Sequence, residues 1–198
     1  MINELSPVPP QPPRWLIFKQ SVLEFVQVVV IALAIIIPVR YFLVQPFYVK
    51  GASMEPNFFD KEYLVIDEIT YRLREPARGD VVVFHPPIAP TDYFIKRIIG
   101  LPGERVVIRR GQIMVFNSEN TQGLVLHETN YLTPPPAMYD DVDLTLGAEQ
   151  YYVMGDNRPY SRDSRSFGPI TRGEMIGRVW LRGWPFNRLA KFTTPVYP

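Results

Sequence analysis

The chain contains no cysteine. That excludes disulfides, cysteine-ligated zinc and a thiol nucleophile, while leaving the compartment open. Imidazole is nearly as scarce, with His85 and His127 the only two histidines among 198 residues. Any acid–base chemistry must therefore work with few histidines. Net charge is small as well, at +1, which gives no electrostatic case for nucleic acid as a partner. There is no HExxH and no glycine-rich phosphate loop, so no metal and no cofactor are expected. Internal repeats are missing too. Proline, in contrast, is abundant: 21 residues, clustered at Pro7–Pro13, Pro86–Pro90 and Pro134–Pro136. Hydrophobic residues make up 46% and charged residues 21%, a balance that supports a packed core.

Near the N-terminus lies a long apolar run. From Phe25 to Val39 only Gln27 is polar. Extended over 21–44, the run is long enough to span a bilayer, which takes about 20 residues. It then includes Glu24 and Arg40, about 24 Å apart along a helix and placed to reach opposite interfaces. A core helix would show a polar face, and Val28–Ile37 shows none. A cleaved leader would end its apolar run at a small-x-small site, yet here the run continues past Ala32–Ala34. The reading is a Pro-rich tail over 1–20 and a membrane anchor over 21–44. Arg14 and Lys19 favour a cytoplasmic N-terminus with the remainder outside, and Arg40 weighs against that orientation.

After Gln45 the pattern changes to short runs rich in Val, Ile, Tyr and Phe: YLVID, DVVVFH, YFIKRIIG, RVVIRR, QIMVF, GLVLH, YYVMGD and MIGRVWLRGW. Gly, Pro, Asp or Asn bound each of them. RVVIRRGQIMVF reads as a hairpin turning at Arg110–Gly111. The expectation is a mainly β domain over 45–198, preceded by one transmembrane helix, with 128–148 as a loop or insertion.

Three stretches hold candidate chemistry. Ser53 in VKGASMEPNFFD (49–60) precedes Pro56 and is either a turn residue or a nucleophile. A hydrolytic serine needs a base and oxyanion donors, and neither His85 nor His127 sits in a recognisable triad pattern. Lys96, inside FIKRIIG, shares a strand face with Phe94 and Ile98, while Ile95, Arg97 and Ile99 face the other way. Desolvated there, a lysine loses its proton more readily; exposed at a strand edge, it merely protects that edge. GDNRPYSRDSRSFGPI (155–170) ends a strand in a turn and concentrates short polar groups that suit a hydrogen-bonding scaffold around a buried amine.

Taken in order, the apolar span, GASMEP, RGDVVVF, FIKRIIGLPGE and GDNRPYSRDSRSFGPI closely resemble the type I signal peptidases, membrane-anchored serine endopeptidases with a Ser/Lys dyad. The likeness runs from the span to about Trp180. It implies Ser53 as nucleophile and Lys96 as general base, acting through an acyl-enzyme to remove signal peptides of exported preproteins after small residues of the Ala-x-Ala type. It further implies that Ser161 orients the lysine and that Asp163 and Arg165 pair to hold this loop, with Asp156, Asn157 and Arg158 in the same structural box. Arg78–Asp80 would be structural. Phe47, Val49, Met54 and Ile95 would build the apolar substrate pocket. Where some members have an oxyanion-binding serine, this chain has Gly51, so the resemblance leaves the Ser53 N–H as the main donor, with the Gly51 backbone or a water beside it. Phe47, Phe58 and Phe59 are candidates for dipping into the membrane interface. Two rivals are a membrane-anchored β-domain that binds exported proteins without catalysis, and a Ser/Lys self-cleaving repressor-type protease. The latter would carry a DNA-binding domain where the apolar span lies.

Overall fold

The structure, a computed structural model, describes residues 13–38, 44–134, 138, 140–195 and 197. The chain divides into two compact units, residues 1–41 and 42–198. In the first, a single helix, α1, runs Arg14–Pro38. Its 20-residue stretch Phe18–Ile37 has a mean hydropathy of 2.3 and is long and apolar enough to cross a membrane. The helix starts earlier than the expected anchor boundary, so residues 14–20 are helical rather than tail. Pro12 and Pro13 end immediately before it and no breaker interrupts 14–37. At the other end, Val44 belongs to a strand of the second unit. Arg40 lies outside the described residues.

The second unit is antiparallel β. Its strands are β1 (Val44–Tyr48), β2 (Tyr63–Asp67), β3 (Val81–Phe84), β4 (Phe94–Gly100), β5 (Arg105–Arg109), β6 (Gln112–Phe116), β7 (Leu124–Val125), β8 (Val142–Thr145), β9 (Gln150–Met154), β10 (Ile170–Thr171), β11 (Met175–Trp184) and β12 (Ala190–Lys191). One sheet has the order β1-β2-β11-β3-β4-β9-β10, with β12 also on β11; the other has β7-β6-β5-β8. All eight expected apolar runs contribute strands. The GLVLH run does so with two residues only.

Alternation explains how one sheet serves two cores. Val81 and Val83 point into a cluster with Val49, Met54, Phe58, Leu64 and Ile66. Val82 and Phe84 point into another with Ile98, Val153 and Ile170. A strand buried on both faces reads as the unbroken VVVF of β3. The smaller sheet closes over Ile99, Val106, Ile108, Val115 and Tyr152. Its β5–β6 hairpin turns through Arg110 at φ 50° and Gly111 at φ 76°, two left-handed residues, as a type I′ turn requires.

The 128–148 segment is not all loop. In DVDLTL, Val142 and Leu144 pack on the small-sheet core while Asp143 points out to a two-bonded pair with Arg105 at 2.7 Å. That alternation makes β8, paired with β5. Phe58 is fully buried, which corrects its reading as an interfacial residue. Burying such a side chain contributes about 1.5–3 kcal/mol.

Candidate active site

The Ser53 loop is tied at both ends. The Val49 N–H donates to the Glu62 carbonyl at 2.8 Å and the Lys61 N–H to the Val49 carbonyl at 2.9 Å. Gly51 turns the chain at φ 90°, where L side chains are strained, and its N–H donates to Asp60 Oδ1 at 2.8 Å. Met54 and Phe58 on either side of cis-Pro56 plug into the core. Ser53 is thus held at the surface by two buried neighbours. Asn157 clamps the loop from outside: its N–H donates to the Ser53 carbonyl at 3.1 Å and its Nδ2 to the Ala52 carbonyl at 3.0 Å.

Lys96 sits on β4, only 3% exposed. Its Nζ lies 2.8 Å from Ser53 Oγ, although the two residues are 43 positions apart, and donates to the Ile95 carbonyl at 2.8 Å. The amine also lies 5.3 Å from the Phe94 ring centre. Burial lowers the Lys96 pKa from its ordinary 10.5 to about 8, against the opposing pull of the Asp163 and Asp156 charges. A buried amine with a serine hydroxyl in reach is a base–nucleophile pair.

Behind this pair lies a set of buried charges. Arg97, next to the lysine but on the opposite strand face, forks onto Asp156 at 2.8 and 2.6 Å. Asn57 Nδ2 reaches the same carboxylate at 2.7 Å and the Tyr131 carbonyl at 2.9 Å. Tyr131 stacks on Arg97, its ring centre 4.0 Å from the guanidinium carbon. Arg158, fully buried, forks onto Glu128 and donates to the Gly155 carbonyl. Asp163 accepts from the Gly155 N–H at 3.0 Å and forks with Arg165 at 2.8 Å through both oxygens. It also caps a one-turn helix at Ser164–Phe167. Arg165 reaches on to Asp140 at 2.7 Å. Ser161 differs from its expected role: its buried Oγ has no hydrogen-bond partner among the described residues. The second bond of the Lys96 amine goes to the Ile95 carbonyl instead.

Ser53 and Lys96 open onto a cleft of about 880 Å³ walled by Phe47, Val49, Leu64, Val83, Tyr93 and Ile95. Phe47 and Tyr93 meet edge-on at 5.2 Å. Met54 is not among the walls; at 1% exposure it lies in the core beneath. Gly51 borders the cleft, with its N–H already given to Asp60. His85 stacks on Tyr93 at 4.7 Å and pairs its Nδ1 with the Asp92 carbonyl. His127 is exposed at the end of a short strand. Asp80 of the Arg78–Asp80 box binds the Ala77 N–H, Tyr71, Arg74 and Thr194, all structural partners.

Sequence reasoning missed Glu128 and Asn57. Glu128 stands in HETNYL, where nothing in local pattern marks a buried carboxylate. Arg97 and Arg158 gave the available signal: an arginine inside an apolar strand or a tight turn, once buried, needs a carboxylate from elsewhere.

The family described as signal peptidase, peptidase S26, matches residues 22–184. A probable signal peptidase I-2 of Synechocystis sp. is 37% identical over 98% of this chain and 85% of its own length. A signal peptidase I of Leptolyngbya laminosa is 34% identical over 96% of both. A signal peptidase IB of Staphylococcus aureus is 31% identical over 85% of this chain and 93% of its own. A crystal structure of a signal peptidase I from Enterococcus faecalis aligns with 53% of this chain and 97% of its own, at a TM-score of 0.43 and 29% identity.

Proposed function

The chain belongs to the signal peptidase family S26, and from that premise we propose that it removes signal peptides from exported preproteins with Ser53 as nucleophile and Lys96 as general base. The observation that carries this reading is the 2.8 Å contact between a buried, easily deprotonated Lys96 amine and Ser53 Oγ. As Oγ attacks the scissile carbonyl, its proton passes to neutral Nζ. The oxyanion forms beside the Ser53 N–H, since the Gly51 N–H is already donated to Asp60. The ammonium of Lys96 then protonates the departing amine, which is the new N-terminus of the mature protein. The signal peptide stays as an ester on Ser53 until a water, deprotonated by Lys96, releases it.

Among the described residues two backbone edges are free, and they support the binding mode. β1 ends its sheet, and β9 pairs with β4 only from Arg97 onward, leaving the Phe94–Lys96 backbone open on that side. An extended substrate laid there alternates its side chains. Its residue before the scissile bond and the one two earlier face Phe47, Val49 and Ile95, as an Ala-x-Ala site requires. α1 anchors the enzyme, with the N-terminus cytoplasmic and residues 45–198 outside. Enzyme and precursor then share one surface, which raises their effective concentration. Exposed aromatics run from the cleft along the sheet: Tyr48 stacks on Tyr63 at 5.1 Å, Tyr63 is in register with Trp184, and Trp184 meets Phe186 at 4.8 Å. Amphipathic rings of this kind suit a headgroup interface.

Ser53→Ala and Lys96→Ala variants, purified and folded, should both fail to process a precursor that the wild type cleaves. Full processing by either variant refutes the dyad, and failure of the wild type on every signal-peptide substrate supports the non-catalytic rival.

A further inference from the structure

Beyond residue 184, where the family match ends, the chain returns to the segments that carry Ser53 and Lys96. β12 pairs with β11, and the Phe192 N–H then donates to the Trp180 carbonyl at 2.9 Å. The Phe192 ring lies 4.5 Å from that of Phe58, whose N–H donates to the carbonyl of Met54, the residue after the nucleophile. Thr194 Oγ1 donates to Asp80 Oδ1 at 2.5 Å. Pro195 and Tyr197 lie so close over Gly79 that a Cβ there would fall 2.5 Å from one and 3.0 Å from the other. Gly79 is in turn bonded twice to β4: its N–H donates to the Ile98 carbonyl at 2.8 Å, and its carbonyl accepts from Arg97 Nη1 at 2.9 Å. A small cavity of about 30 Å³ is lined by Arg97 together with Phe192, Thr193 and Thr194, so this segment meets the residue after the base directly. Tyr197 adds a relay of hydrogen bonds. Its hydroxyl donates to the Tyr131 hydroxyl at 3.0 Å, with the two rings edge-on at 6.2 Å. Tyr131 donates onward to Glu128, Glu128 holds Arg158, and Arg158 donates to the Gly155 carbonyl at 3.0 Å. A Cβ on Gly155 would lie 2.5 Å from the Ser53 carbonyl. The Tyr131 ring also stacks on Arg97. Tyr131 therefore touches both arms of the site, the strand of the base and the buried pair beneath the nucleophile loop, and Tyr197 holds Tyr131.

We propose that Tyr197, acting through Tyr131, is a positioning residue for the Ser53–Lys96 pair, and that Phe192, Thr194 and Pro195 brace the same two segments against each other. The inference rests on the proposed function above. None of these four residues lines the substrate cleft, so their loss slows the chemical step and leaves peptide binding alone. Proton transfer from Oγ to Nζ depends steeply on the separation of the two atoms, and a loosened Tyr131 frees both segments that set it. The competing role is plain fastening of the chain end, which would affect stability without affecting the rate of the folded enzyme.

The test uses the full-length enzyme in detergent and an internally quenched peptide with an Ala-x-Ala site, under single-turnover conditions with enzyme in excess. The plateau rate constant at saturating enzyme does not depend on how much of the enzyme is folded. The half-saturating concentration, corrected for the folded fraction read by circular dichroism, reports binding. Tyr197→Phe keeps the ring over Gly79 and loses only the bond to Tyr131. Its plateau should fall about three- to tenfold, and that of Tyr197→Ala about tenfold or more, each with half-saturation within about twofold of the wild type. Thr171→Ala removes the cap of the turn at Arg172–Glu174, which lowers stability outside this network, and should keep the wild-type plateau. A Tyr197→Phe plateau equal to that of the wild type overturns the inference. So does a loss carried by half-saturation instead of the plateau, or an equal fall in Thr171→Ala, since the rate would then follow stability alone. Should the wild type cleave no signal-peptide substrate, or should Ser53→Ala cleave them, the proposed function itself fails rather than this refinement of it.

Discussion

The pH dependence of cleavage is set by one buried amine. With its pKa lowered from 10.5 to about 8, Lys96 is about one-tenth neutral at pH 7 and about half neutral at pH 8. An exposed lysine at pH 8 would be neutral in only about 0.4% of molecules. Burial therefore raises the population of competent base more than a hundredfold at pH 8. The profile of kcat/KM for a neutral quenched peptide should climb about tenfold per pH unit below 8 and flatten above it. The charges of Asp163 and Asp156 hold the pKa up, so Asp163→Asn should move this limb to lower pH in whatever fraction of the variant is folded. A wild-type limb still rising at pH 10 would refute the claim that burial tunes Lys96. A profile flat from pH 6 to 9 would remove Lys96 as the base.

The same burial appears in stability. Between pH 8 and 10.5 the unfolded chain keeps the Lys96 proton and the folded chain releases it, so this group adds stability as pH rises through that window and withdraws it as pH falls. Lys96→Met should abolish cleavage while raising Tm by several degrees at pH 7, with a smaller gain at pH 10; the full effect is limited to about 3 kcal/mol. Glu128→Ala strands the buried Arg158 guanidinium and should cost about 3–5 kcal/mol by denaturant titration, while Arg158→Met/Glu128→Leu should cost less. Gly155→Ala places a Cβ 2.5 Å from the Ser53 carbonyl and 2.1 Å from Ser161 Oγ and should eliminate activity in protein whose circular dichroism is unchanged. Asn157→Ala loses the bond to the Ala52 carbonyl and should lower kcat about tenfold or more with little change in KM, as loosened nucleophiles do.

The strands were legible because their runs are short, β-branched and punctuated, and the hairpin because Arg110–Gly111 sits between two alternating runs. Lys96 was legible as a residue whose face-mates are Phe94 and Ile98, but composition alone could not tell a buried base from an edge lysine. That difference is tertiary, made by the Ser53 loop and the 155–165 segment folding over β4. β8 hid inside an apparent loop because three prolines precede it, although Val142 and Leu144 alternate around Asp143. Met54 shows the limit of adjacency: next to the nucleophile in sequence, it turns into the core, because neighbours in an extended turn point to opposite sides. Glu128 and Asn57 carry no mark in their own local pattern, since each matters through partners 30 and 99 positions away.

The dyad is tested most directly by trapping its ester. The full-length enzyme is mixed with a signal-peptide substrate, quenched in acid within one turnover, digested and read by mass spectrometry. The account predicts the acyl adduct on the peptide containing Ser53 in the wild type and none in Ser53→Ala. An adduct on another residue, or turnover by Ser53→Ala, would contradict it.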